Sequence, residues 1–189
     1  MQIGLFFGSF NPIHVGHLII ANHVLTHSKL DRIWFVVSPH NPLKESSSLL
    51  PEQQRLHMVR LAIEKETKFS ASNIEFQLPK PSYTIDTMLH LTEKFPQHTF
   101  TIIVGGDSFQ NLPKWKNYQQ LVAQYPFIVY NRPGFAVDTS LGKSISITQA
   151  PLLDISSTYI RGLIQQKKSI RYLVVDEVME VMEANGYYR

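Results

Sequence analysis

His14 and His17 stand three positions apart with Gly16 between them, where an apolar run hands over to a helical one in GLFFGSFNPIHVGHLIIANHVL, Gly4 to Leu25. Imidazoles at the first turn of a helix lie beside its free N–H groups, where the helix dipole favours anions. Such a pair can donate hydrogen bonds to phosphate oxygens and, when protonated, add positive charge. The same spacing also suits two polar loop histidines around a helix-starting glycine, so it leaves both readings open. Gly8 permits a tight turn or a close approach of ligand to backbone, and Pro12 stiffens the loop. The sequence contains neither G-x-x-x-x-G-K-[ST] nor G-x-G-x-x-G, the two common glycine-rich phosphate cradles. His23 and His27 have the i, i+4 spacing of a metal pair on a helix, but no third ligand or H-E-x-x-H pattern accompanies them.

Residues of this kind need a frame. Ile3–Phe7 is a short apolar run ending in turn residues, as a buried strand would be, and Val15–His27 carries Leu18, Ala21, Asn22 and Leu25 on one helical face. Arg32–Pro39 reads as a second buried strand. Pro51 suits the first turn of a helix bearing Leu56, Val59 and Ile63. A strand is expected around Ile74–Leu78, a helix over Thr84–Lys94, a strand over Thr99–Gly106 and a helix near Trp115–Gln124. Strands at Phe127–Tyr130 and Ser144–Thr148 follow, then helices at Ser157–Gln166 and Ile170–Ala184, with Gly186 as a C-terminal cap.

This alternation predicts an α/β fold: a doubly wound, mainly parallel sheet with helices on both faces. Ligands of such sheets bind beyond the carboxyl ends of the strands, near the switch in strand order. The unusual segments GSFNPIH, SPHNPLK, GGDS and NRPG each follow a strand, so they should gather along that one edge. The serine-rich KESSSLLP, Lys44–Pro51, reads as a loop able to close over it.

At 189 residues without a linker, the chain is expected to form one domain, 1–189, with a helical C-terminal portion from about 156. Its 43% apolar and 17% charged residues are those of an ordinary globular protein. The net charge of +3 favours anionic ligands without naming one. Cysteine is absent, which excludes disulfides, thiolate metal sites and cysteine nucleophiles. With no basic leader and no stretch near the ~20 apolar residues of a membrane span, the expected location is the cytoplasm.

GSFNPIHVGH resembles the G-x-F-[DN]-P-x-H-x-G-H signature of the nucleotidyltransferase superfamily, and ISSTYIR, Ile155–Arg161, is similar to its second signature, I-S-S-T-x-[IV]-R. PSYTIDTM (Pro81–Met88), GGDSFQNLPKWKNYQQL (Gly105–Leu121) and YNRPG (Tyr130–Gly134) are similar to segments of the nicotinate-nucleotide adenylyltransferases within it. The resemblance runs nearly end to end. Ser9, Asn11 in place of the usual aspartate, Val175 and the ending Gly186–Tyr188 depart from the family pattern, and Asn11 leaves the anchoring of its loop open.

What the resemblance implies is a Rossmann-like nucleotidyltransferase fold and transfer of the adenylyl group of ATP to nicotinate mononucleotide. The products would be deamido-NAD and pyrophosphate. It implies His14, His17 and Arg161 as the catalytic groups, with ATP also meeting Gly8, Ser9, Phe10, Gly105, Asp107, Ile155, Ser156 and Ser157. The histidines would hold the triphosphate and stabilise charge on the α-phosphoryl oxygens, a reaction needing no protein nucleophile. The hydroxyls of Ser156, Ser157 and Thr158 could cap a helix whose N–H groups, with Arg161, meet the β- and γ-phosphates, although a plain cap with a surface arginine has the same local sequence. Gly105 and Gly106 would let adenine approach the backbone, and Asp107 would accept from ribose.

Nicotinate mononucleotide would meet Lys44, Tyr83, Thr84, Asp86, Trp115 and Arg132. Backbone N–H groups at Tyr83–Thr84 would take its ring carboxylate, Asp86 would orient that turn, Trp115 would stack on the pyridine, and Lys44 and Arg132 would attract a phosphate. Mg²⁺ is expected on the ATP phosphates rather than in a protein cage. No dedicated cation is evident beside Tyr83–Thr84, so preference for the acid over the amide rests on likeness alone. A nicotinamide-preferring enzyme is the nearest alternative. A pantetheine-phosphate adenylyltransferase shares the H-x-G-H loop, but YTIDT and LPKWK speak against it. A non-catalytic nucleotide- or RNA-binding module is disfavoured by the retained histidines and Arg161. QQKKSIR is too short a basic patch for nucleic acid, and neither nucleic acid nor membrane is expected as a partner. A homo-oligomer is left open.

Overall fold

The computed structural model describes residues 1–39, 48–142, 144–151 and 153–189; Lys44 and the first half of the expected closing loop lie outside them. Six strands, β1 (Gln2–Gly8), β2 (Arg32–Val37), β3 (Phe69–Ser72), β4 (Thr99–Gly105), β5 (Phe127–Tyr130) and β6 (Ile145–Thr148), form one sheet in the order β3-β2-β1-β4-β5-β6. Every pairing is parallel. The chain starts at the centre, winds outward through β2 and β3, then returns to β4 on the other side of β1. The switch point therefore lies between the ends of β1 and β4, at Gly8 and Gly105.

The helices are α1 (Val15–Thr26), α2 (Glu52–Ile63), α3 (Thr84–Lys94), α4 (Gly106–Gln110), α5 (Tyr118–Gln124), α6 (Ser157–Gln165) and α7 (Asp176–Ala184). Along β2, Ile33, Phe35 and Val37 enter one core with residues of α1, α2, α6 and α7, while Val36 enters a second with α3, α4 and α5. A parallel strand covered on both faces needs such a continuous apolar run. That explains the apolar runs of Arg32–Val37 and Thr99–Gly105. Among the described residues, no helix is long and apolar enough to cross a membrane.

Helix α3 and strand β5 have the bounds the periodicity predicts. Three of the expected elements differ by more than two residues at an end. The third strand is Phe69–Ser72, and the expected strand at Ile74–Leu78 contains a 3₁₀ turn over Ile74–Gln77. An edge strand is held by backbone pairing, here Ile33 with Phe69 through Val36 with Ser72, and does not need apolar side chains. The helix expected from Trp115 starts at Tyr118, because Asn117 is left-handed (φ 51°, ψ 41°) and Trp115 is extended. The last helix starts at Asp176 rather than Ile170. Tyr172 at φ 67° breaks the earlier stretch, although Ile170 and Val174 are buried as a helical spacing would have them. Gly186 does cap α7: its N–H reaches the Glu183 carbonyl at 3.2 Å, and that of Tyr187 reaches Met182 at 3.0 Å.

Candidate active site

The loops after β1, β4 and β5 meet at the carboxyl edge of the sheet. His14 is the N-cap residue of α1, in extended backbone. Its N–H donates to Nδ1 of His17 at 3.2 Å, which places the His17 proton on Nε2. The two rings stack, with centroids 3.7 Å apart and planes 27° apart. Gly16 makes this possible, since a Cβ there would come within 3.0 Å of the His14 Nδ1. The spacing H-x-G-H thus builds an imidazole stack on a helix N-terminus. Behind it, Phe10 meets the His17 ring edge-on at 5.1 Å.

Phe10 itself is only 1% exposed. Its ring covers Gly8, where a Cβ would lie 2.8 Å from it. The demand for glycine at position 8 therefore comes from this ring, and the Phe10 side chain shapes the loop from within rather than facing a ligand.

His14 is 6% exposed, and its Nδ1 has no hydrogen-bond partner among the described residues. Burial, and secondarily the charge of Arg132, pull its pKa down to about 4. The folded value lies below the unfolded one near 6.5, so the neutral ring's contribution is complete above 6.5 and is lost as pH falls towards 4. The loss amounts to roughly 3 kcal/mol. Thermal melts of the protein and of His14→Gln should therefore diverge between pH 7 and 4, the unmodified chain losing more stability. Parallel curves would refute the assignment.

The second signature closes on the first. Ser156 caps α6, accepting from the Tyr159 N–H at 3.1 Å. Ser157 Oγ donates to the Pro12 carbonyl at 2.9 Å, and Arg161 Nη1 donates to the Asn11 carbonyl at 2.8 Å. Ile155 is half-buried against the core beneath them. The N-termini of α1 and α6 are thus joined through Asn11–Pro12. Asn11 answers its own question of anchoring. Its side chain donates to the Ser48 carbonyl at 3.0 Å and accepts from the Leu50 N–H at 3.2 Å and the Tyr188 hydroxyl at 2.8 Å. An aspartate there could accept but not donate.

Arg55, on α2, went unnoticed in the sequence. It is fully buried, with Nε donating to the Leu50 carbonyl at 2.8 Å. Its other donors reach the carbonyls of Ser9, Ser38 and Pro39. One guanidinium therefore fixes the loops after β1 and β2 against the start of α2. Its partners are backbone groups, which leave no pattern in the side-chain sequence.

Across the switch point lies a cleft of about 750 Å³. Gly8, Ser9, Tyr83, Thr84, Gly105, Asp107 and Trp115, all expected in the site, line it. Tyr83 is the N-cap of α3 and makes no side-chain cap bond. Asp86, one turn in, pairs with Lys116 at 2.8 Å, and the Lys116 ammonium sits 4.8 Å over the Tyr83 ring. The expectation that no cation stands beside Tyr83–Thr84 is thereby corrected. Lys116 is 30 positions from Asp86, and only the packing of the loop before α5 against α3 brings it there.

Glu75 also lines the cleft and was missed. It accepts from Ser82 and Thr87 hydroxyls, each at 2.9 Å, with Ser38 adding a further bond. Burial holds its carboxyl above the usual range. On the β4 side, Gly105 packs against Tyr130, and Asp107 Oδ1 lies 3.6 Å from Arg132 Nε. Arg132 stands over the Tyr130 ring at 5.8 Å, and its charge reaches His14. His23 and His27 stack on each other at 4.0 Å, and His23 Nε2 is hydrogen-bonded to Thr148 Oγ1 at 3.1 Å, tying α1 to β6.

A parallel sheet with its switch point under a paired-histidine helix start and an arginine-bearing second helix is an arrangement suited to holding phosphate groups. The family model for cytidylyltransferase-like proteins matches residues 5–163. A Cytophaga hutchinsonii protein named "probable nicotinate-nucleotide adenylyltransferase" is 51% identical over 193 residues, covering 100% of this chain and 98% of its own. A Flavobacterium johnsoniae protein of the same name is 48% identical over 192 residues, covering 100% of both. The chain belongs to the nicotinate-nucleotide adenylyltransferases of the cytidylyltransferase-like family. The Plasmodium falciparum nicotinic acid mononucleotide adenylyltransferase complexed with NaAD shares the fold, at a TM-score of 0.83 and 20% identity over 99% of this chain and 97% of that one.

Proposed function

We propose that this chain, acting as one domain over 1–189, transfers the adenylyl group of ATP to nicotinate mononucleotide in NAD biosynthesis, giving deamido-NAD and pyrophosphate. The observation that carries the reading is the loop after β1, whose Gly8 and Ser9 line the cleft and which leads on to the His14–His17 stack. The α6 start is bonded to that same loop at Pro12, and the cleft reaches Tyr83 and Thr84 at the start of α3.

In the reaction a phosphate oxygen of the mononucleotide attacks the α-phosphorus in line, and the bond to the β-phosphate oxygen breaks with its electron pair leaving on pyrophosphate. Alignment and charge stabilisation are what the protein must supply. His17 donates from Nε2 to an α-phosphoryl oxygen. His14, whose ring is neutral at pH 7 before any ligand binds, serves as a donor to the triphosphate. The free N–H groups at the α6 start, with Arg161 donors beyond those held by Asn11, meet the outer phosphates. Gly105 and Asp107 face the adenosine. On the far side, the Tyr83–Thr84 N–H groups take the ring carboxylate and Trp115 stacks on the pyridine. Lys44 and Arg132 attract the mononucleotide phosphate, Arg132 from its place beside Asp107.

Among the described residues, no group of three or more His, Asp or Glu side chains could hold a metal ion. A Mg²⁺ would be brought to the site on the phosphate oxygens of ATP and water. When bound it would supply charge neutralisation for the leaving pyrophosphate.

The test is pyrophosphate release with ATP and Mg²⁺ in parallel with nicotinate mononucleotide, nicotinamide mononucleotide or phosphopantetheine. The nicotinate compound should exceed the others by at least tenfold. Comparable rates with both mononucleotides would remove the acid preference, and silence with all three would overturn the reading.

A further inference from the structure

Lys116 and Asp86 form a pair that the fold does not require. The ammonium lies 2.8 Å and 3.2 Å from the two carboxylate oxygens, yet the side chains are 44% and 42% exposed. So exposed a pair contributes little to stability, and its ammonium can change partners readily. It nonetheless occupies a particular place. Lys116 lines the cleft beside Trp115 and stands over the ring of Tyr83, the N-cap of α3.

We infer that Lys116 is the residue that favours an acidic pyridine over its amide, and that Asp86 opposes and moderates it. This rests on the function proposed above. Nicotinate and nicotinamide mononucleotides have nearly the same shape. Backbone N–H groups at Tyr83–Thr84 can donate to an amide carbonyl as well as to a carboxylate, so they discriminate weakly. Only net charge separates the two substrates sharply, and a cation at the turn supplies it. The other charged groups lining the cleft are Lys114, Asp107 and Glu75. Asp107 is turned to Arg132, and Glu75 is held by hydroxyls.

The roles have opposite sign, which makes them separable. We would measure kcat/KM for both mononucleotides, and calorimetric binding of each, with the unmodified chain, Lys116→Met, Lys116→Arg and Asp86→Asn. Lys116→Met should lower the acid-to-amide ratio about fivefold to tenfold, mostly through the KM of the acid. Lys116→Arg should restore it, Asp86→Asn should raise it about threefold, and added salt should lower it in the unmodified chain. A ratio within about twofold of the original in Lys116→Met, or a shift of the same sign in Lys116→Met and Asp86→Asn, would overturn the inference. If the unmodified chain releases no pyrophosphate with either compound, the functional reading fails. Calorimetry then decides Lys116 separately: equal binding of nicotinate mononucleotide by the unmodified chain and Lys116→Met refutes its role.

Discussion

Replacing His17 by alanine should lower kcat about 10²–10³-fold while leaving the KM of nicotinate mononucleotide within about twofold. His17 carries two separable duties. Its Nδ1 accepts from the His14 N–H at the helix start, and in the proposed reaction its Nε2 would donate to a phosphoryl oxygen. Asparagine can reproduce the first contact, because its Oδ1 occupies nearly the place of Nδ1, but it is too short to reproduce the second. His17→Asn should therefore melt close to the unmodified chain and still turn over as slowly as His17→Ala. The split matters because a transition-state donor lowers kcat, whereas a mere binding group raises KM. Steady-state pyrophosphate release over a range of both substrates reads it. Turnover within a few-fold of the original in His17→Asn would show that capping, not donation, is what this ring supplies.

Arg55→Met should cost roughly 4 kcal/mol of stability, a fall in melting temperature of roughly 10 °C for a chain of this size. Exchanging a buried ion for an apolar side chain is often neutral when its partners leave with it. Here they stay. The carbonyls of Leu50, Ser9, Ser38 and Pro39 converge on one guanidinium, and methionine offers them no donor. Some can turn towards water at the sheet edge, which limits the loss but loosens the loops. A rise in the KM of ATP should accompany the fall in stability, because Ser9 lies in the loop that leads to His14. Arg55→Lys, which keeps the charge but not the planar fork, should recover less than half. A melting temperature within about 3 °C of the original in Arg55→Met would remove the claim that this residue organises the site.

The loops of the candidate site were legible in the sequence because their signals are local. Gly16 between two histidines specifies a helix start on which imidazoles can stack, and Ser156 before α6 specifies its cap. Continuous apolar runs such as Ile33–Val37 mark strands buried on both faces, and unusual residues after those strands mark the edge where ligands bind. The failures share a cause as well. Phe69–Ser72 became a strand through backbone pairing with β2, to which its half-buried side chains contribute little pattern. Ile74 and Phe76 imitated the alternation of a strand while the chain made a 3₁₀ turn.

What the sequence determined by itself was the fold class, the order of most βα units, and the family to which the two signature segments belong. These follow from periodicity and from residues close together in the chain. The tertiary structure alone decided which distant groups complete the site. Tyr188 bonds to Asn11 across 177 positions, Arg161 to the Asn11 carbonyl across 150, and Arg55 gathers carbonyls from three separate segments. Lys116 meets Asp86 and Tyr83, and Glu75 meets Ser82 and Thr87, only because the segments around α3 fold over the same edge. Contacts to backbone oxygen demand no particular residue at the partner position, and contacts across the sheet have no fixed spacing. Neither leaves a mark that can be read before the chain is folded.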